Sequence, residues 1–175
     1  MRPALALIAT AGAAAAQSTA DPEAFVGTLG AVGGPAGVME LAFAPYSHAI
    51  ASLGIWSLLT IALIPLSIAG TARARSDSGH PVRDYGDPMY RRHRALQNSM
   101  EAAGPFLAAT TAAILGGAPP FWVNLLVSVF VLARIATAVV HVATEIQWLR
   151  SATWAVGMFC LACLAVLATV SAFTL

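Results

Sequence analysis

Beyond residue 45 the chain is a succession of long apolar stretches broken by short polar ones. Four of them, at about 46 to 72, 96 to 116, 120 to 142 and 150 to 174, are long enough for spanning helices. The requirement is roughly 20 residues, set by a rise of about 1.5 Å per residue across a hydrocarbon core of about 30 Å. Pro65 lies inside the first stretch and is expected to bend it, which membrane helices tolerate. "GGAPP" at 116 to 120 reads as a tight turn between the second and third stretches, and "TEIQW" at 144 to 148 as a short one between the third and fourth. Short turns make antiparallel neighbours. The pattern therefore predicts an all-α membrane protein, a four-transmembrane-helix bundle over residues 46–175.

The N-terminal part has another character. Residues 1–20, "MRPALALIATAGAAAAQSTA", place one arginine before a short apolar run and a string of alanines. That is the pattern of a secretory signal peptide, with cleavage expected after Ala16. Residues 21–45 follow as an exposed N-terminal segment, rich in Gly and Pro over "DPEAFVGTLGAVGGPAGVME" and read as irregular.

Composition agrees with a membrane protein. Of the 175 residues, 58% are hydrophobic and 10% are charged, against about a quarter charged in soluble domains. All nine basic residues are arginine, and Arg73, Arg75, Arg83, Arg91, Arg92 and Arg94 cluster between the first two apolar stretches. Such a cluster marks a cytoplasmic loop. Both termini are then external, which is where a cleaved signal peptide would leave the N-terminus. No soluble binding domain accompanies the arginines, so nucleic acid is not an expected partner. Cys160 and Cys163 form a CxxC pair in wholly apolar surroundings without a second ligand pair. They read as small buried residues of a helix, and no metal site is expected.

The polar residues that remain inside the apolar stretches are the candidate chemistry. Arg94, Gln97, Asn98 and Glu101 share one face of the second helix by their spacing. Arg134, Thr137 and His141 share a face of the third, with Glu145 a turn beyond, while Arg150 and Trp154 stack on the fourth and Arg73 ends the first. Under the topology above, all lie toward the cytoplasmic side. Glu101 and Arg134 are costly in lipid, and an ion pair between them is expected. Arg150 sits at a helix start, where the helix dipole disfavours a cation. A bound anion would explain it. Guanidinium groups with an amide and a carboxylate suit a small peptide-like ligand, since arginine grips carboxylates bidentately. Apolar walls beside them suit a lipophilic co-substrate arriving from the bilayer.

"RRHRALQNSMEAAGPF" at 91 to 106 resembles the second-helix signature of the MAPEG family, membrane-associated proteins in eicosanoid and glutathione metabolism. Arg94 is followed by Asn98, Glu101 and Pro105 as in that signature. The similarity runs on through "GGAPPF", "LARIATAVVH" and "LRSATW", covering about residues 70 to 155 closely. It implies a bacterial member like the microsomal glutathione transferases, a homotrimer with membrane lipid around it and glutathione bound between subunits. The expected location is the bacterial inner membrane, with the site toward the cytoplasm. By position, Arg73, Arg94, Asn98, Glu101 and Arg134 would hold glutathione, and His141 and Trp154 would contact it. Arg150 would stabilise the thiolate, the reactive form of the thiol. Four positions depart from well-studied relatives. His141 and Trp154 stand where tyrosines are common, Gln97 where some members have arginine, and Thr137 where a histidine occurs.

The expected function is a glutathione-dependent transferase or peroxidase acting on lipophilic electrophiles or hydroperoxides. A prostaglandin or leukotriene role is not expected. Two alternatives predict different behaviour: a non-catalytic scaffold or binding protein of the same fold, and a small transporter using Glu101 as a proton relay.

Overall fold

The computed structural model describes residues 35–174. The signal peptide expected at 1–20 and much of the segment at 21–45 lie outside the described residues. The chain divides into two units between Pro45 and Tyr46. In the first, Pro35–Phe43 form helix α1, so the end of the segment expected to be irregular is helical. Proline suits the first helical position, and Met39, Glu40, Leu41 and Ala42 are good helix formers.

The second unit holds four helices: α2 (Ser47–Ile68), α3 (Pro88–Leu115), α4 (Pro120–Ala143) and α5 (Gln147–Ala172). Three described stretches, Gly37–Ile68, Pro120–Ala143 and Gln147–Ala172, are long and apolar enough to cross a membrane. α3 is long enough, but polar groups fill its first half. It begins eight residues ahead of the apolar stretch that announced it (88 against 96). The cause is local. Asp87 caps the helix by accepting from the Met89 N–H at 2.9 Å, and Pro88 takes the first helical position. At the far end, Gly117 at φ 62° closes α3. Its N–H donates to the Ile114 carbonyl at 3.2 Å, and the Ala118 N–H to that of Ala113 at 2.9 Å. This left-handed ending, which a side chain would strain, turns the chain into Pro119 and α4.

α3 and α4 pack against each other, and each packs against both α2 and α5. The centre is an aromatic cluster: Phe106 stacks on Phe130 at 4.3 Å, with Trp56 set against both at 5.5 and 5.6 Å. Val123, Val127 and Leu164 fill the space around it without exposure. In lipid such close packing, rather than escape from water, holds helices together. Polar bonds secure one end of the bundle, where the Tyr46 hydroxyl donates to the Ala118 carbonyl at 2.6 Å and the Ala49 N–H to Asn124 Oδ1 at 2.9 Å.

The opposite end is tied by Asp87. Its Oδ2 accepts from the Arg73 N–H at 2.9 Å while Oδ1 caps α3. The Arg73 backbone N–H, foremost, holds the Asp87 carboxyl below the usual aspartate range, with help from the Met89 N–H and from Arg73 and Arg91. The folded value is depressed, so this stabilisation is fully present above the ordinary value of about 3.9. It is lost as pH falls through the folded value. Asp87→Asn keeps one acceptor oxygen of two, so thermal unfolding should show a lower melting temperature at neutral pH. The gap between variant and wild type should close below about pH 4.

Candidate functional site

Antiparallel packing sets the first turns of α3 beside the last turns of α4 and the start of α5. Arg92 Nη1 donates to the Ala69 carbonyl at 2.8 Å, bringing in the end of α2. Arg91 Nη1 reaches Glu145 Oε1 at 3.2 Å and the Tyr85 carbonyl at 2.7 Å, tying the loop before α3 to the turn after α4. Polar groups from all four helices therefore meet at one end of the bundle.

Arg134 is the deepest of them, 2% exposed between α3, α4 and α5. Its Nη1 donates to Asn98 Oδ1 at 3.5 Å and its Nη2 to Met158 Sδ at 3.5 Å, and the guanidinium carbon lies 5.4 Å from the centre of the Phe130 ring. Nε has no partner. Gly157 makes room for it: a methyl group there would stand 3.6 Å from Arg134 Cδ, so any larger side chain would press on the arginine. Among the described residues no carboxylate lies within ion-pair distance of Arg134. A buried cation served by an amide and a thioether is unusual, because leaving a charge unpaired in the interior costs several kcal/mol by rough estimate.

The pair expected between Glu101 and Arg134 is not formed. Glu101 pairs instead with Arg94 on its own helix, at 3.6 Å, and its side chain is 63% exposed. The two residues were matched by depth alone. Helix rotation separates them, turning Asn98 inward to Arg134 and Glu101 outward, where Arg94 lies two turns back on the same face. Glu101 still acts on Arg134 electrostatically. Arg94 also donates to Gln97 Oε1 at 3.1 Å.

His141 is buried, with Nδ1 2.9 Å from the Thr137 carbonyl oxygen. A carbonyl only accepts, so Nδ1 carries the proton and Nε2 holds the lone pair in the neutral ring. Arg150, Arg94 and Arg134 all lie within its electrostatic reach. Arg150, in the first turn of α5, is 8% exposed, and its buried Nη1 has no partner among the described residues. Its guanidinium carbon lies over the Tyr85 ring, 3.9 Å from the centroid.

The structure thus brings together Arg94, Asn98, Arg134, His141 and Arg150, with Glu101 on the outer rim. Among the described residues, no hydrogen bond or ion pair joins Arg73 or Trp154 to them. Arg73 lies in the loop, five residues past the end of α2 (68 against 73), and pairs with Asp84 at 3.7 Å. Trp154 is 43% exposed on α5. The segment at 76 to 90 is more than a connector between α2 and α3. Asp87, Met89 and Tyr90 are buried, and Tyr85 covers Arg150. The Asp-Pro step was a legible helix start, whereas nothing in the sequence marked Tyr85 or Met158.

An α-helical bundle with three span-length apolar helices and buried arginines gathered at one end defines an integral membrane protein. The family model that matches is the MAPEG family, over residues 53–170. That is well over half of the chain, which therefore belongs to the MAPEG family. No curated protein and no solved structure matches the chain significantly.

Proposed function

We propose that this chain is a glutathione-dependent transferase or peroxidase of the membrane, acting on lipophilic electrophiles or hydroperoxides. The observation that carries the reading is the pair of buried guanidinium groups, Arg134 and Arg150, each with an N–H that has no partner among the described residues. They fit a ligand that brings negative charge. Arg94, Asn98 and Arg134 would take the carboxylates and amides of glutathione, and Arg150 would face its sulfur. A cation beside a thiol favours the thiolate. In conjugation the thiol proton leaves to solvent and the sulfur attacks carbon. A C–S bond forms, and the leaving group departs with its bonding pair. With a hydroperoxide, two glutathione molecules are oxidised to the disulfide while the O–O bond is reduced to alcohol and water.

A homotrimer belongs to the same reading. The outer face of α3 carries the outward carboxylate of Glu101 and a run of small residues, Gly104, Ala108, Thr111 and Ala112, between the exposed apolar side chains of Met100, Leu107 and Leu115. Small residues suit close helix contact in lipid, and an outward carboxylate needs cover from it. A second copy provides both, and completes a site opening between subunits toward the cytoplasmic side.

The test is glutathione conjugation to chlorodinitrobenzene by the detergent-purified protein, with reduction of a lipid hydroperoxide in parallel. Either activity is expected, and Arg150→Ala should lower kcat/KM by about 100-fold, as the loss of one transition-state donor does elsewhere. Absence of both activities in the wild type would overturn the reading.

A further inference from the structure

Arg150 poses a question that glutathione alone does not answer: what holds a cation at the positive end of α5 before any anion arrives? The helix N-terminus repels it by its dipole, and no carboxylate among the described residues lies within ion-pair distance. Its side chain is nonetheless buried, with Nη1 sealed from solvent and without a partner among the described residues. The Tyr85 ring is the group set against it, its centroid 3.9 Å from the guanidinium carbon. That is well inside the range of about 6 Å over which an aromatic face attracts a cation. Tyr85 is itself held on two sides. Its carbonyl accepts from Arg91 Nη1 at 2.7 Å, and its ring meets that of Tyr90 edge-on at 5.1 Å. Arg91 in turn grips Glu145 at 3.2 Å, on the turn leading into α5.

We propose that Tyr85 is the positioning residue for Arg150, its ring face holding the guanidinium over the site in place of a counter-ion. An aromatic face suits this task better than a carboxylate would. It offsets the unfavourable dipole without neutralising the charge, so Arg150 keeps its full pull on an incoming thiolate. A ring face also takes up none of the guanidinium's in-plane N–H groups, so they stay available to a ligand. The loop between α2 and α3 is then part of the site through one side chain. This rests on the glutathione reading for its catalytic consequence, but the stacking itself does not.

Two variants test it, Tyr85→Leu and Tyr85→Phe. In Tyr85→Leu, kcat/KM for conjugation should fall by about 30-fold, the worth of a desolvated cation–π contact of the stronger kind. The thiolate absorbance of bound glutathione should shift to higher pH, with KM for the electrophile unchanged. Tyr85→Phe keeps the ring and should restore both. Modification of Arg150 by phenylglyoxal, followed by mass spectrometry without glutathione, reads the stacking separately. The rate should rise in Tyr85→Leu and stay at the wild-type value in Tyr85→Phe. Equal rates in all three proteins, or a Tyr85→Phe as impaired as Tyr85→Leu, would overturn the proposal. If the wild type neither binds nor turns over glutathione, the functional reading fails. The phenylglyoxal rates still decide whether Tyr85 positions Arg150.

Discussion

Arg134→Met should make the ligand-free protein more stable and leave it unable to bind glutathione. Both effects have one cause. Arg134 is 2% exposed, and its partners are an amide oxygen and a thioether sulfur, each at 3.5 Å, with Nε unserved. Replacing a whole buried ion pair by apolar residues gains up to about 4 kcal/mol, and exchanging one poorly compensated buried charge for an apolar side chain of similar length should gain in the same direction. Asn98 loses one hydrogen bond in the exchange, which offsets about 1 kcal/mol of that gain. The net should be a higher melting temperature without ligand. Added glutathione should raise the melting temperature of the wild type and leave that of the variant unmoved. A variant that is less stable and still responds to glutathione would show that Arg134 is a structural bond between helices. A site that spends stability to hold an unpaired cation is the usual signature of function overriding folding.

The second large effect lies beneath that arginine. Phe130 is fully buried, stacked on Phe106 at 4.3 Å and set against Trp56 at 5.6 Å, and its ring lies 5.4 Å from the Arg134 guanidinium carbon. Phe130→Ala opens a cavity at the centre of the bundle and should cost about 3 kcal/mol of unfolding free energy. Phe106→Ala should cost about as much, since Phe106 shares the stack. The two differ at the site. Only Phe130 supports Arg134, so Phe130→Ala should weaken glutathione binding further than Phe106→Ala does at equal stability. Thermal unfolding read beside glutathione titration separates the two contributions. Equal affinity in both variants would show that the aromatic stack carries no site geometry.

The helices were legible because apolar run length and proline–glycine punctuation are local signals. The third stretch was expected at 120 to 142 and the helix is Pro120–Ala143; the "GGAPP" turn sits where the glycines placed it. The MAPEG resemblance rested on Arg94, Asn98, Glu101 and Pro105 together with the stretches that carry Arg134 and Arg150, and the family match confirms it. Side-chain direction was less legible. Spacing put Asn98 and Glu101 on one face, yet only a few tens of degrees of helix rotation separate an inward amide from an outward carboxylate. That rotation is fixed by tertiary packing, here by Phe106 and Ala102 filling the interior. Tyr85 was hidden for a different reason. A loop has no period, so a ring that meets an arginine sixty-five residues later (85 against 150) leaves no trace in the sequence around it.

The whole account turns on glutathione occupying the space between Arg94, Arg134 and Arg150. Calorimetric titration of glutathione into the detergent-purified wild-type protein, repeated with Arg134→Met, examines that occupancy without requiring turnover. Saturable binding in the wild type and none in the variant is the predicted result. No binding heat and no rise in melting temperature in the wild type would contradict the account, leaving the chain a MAPEG fold whose buried arginines serve another anion.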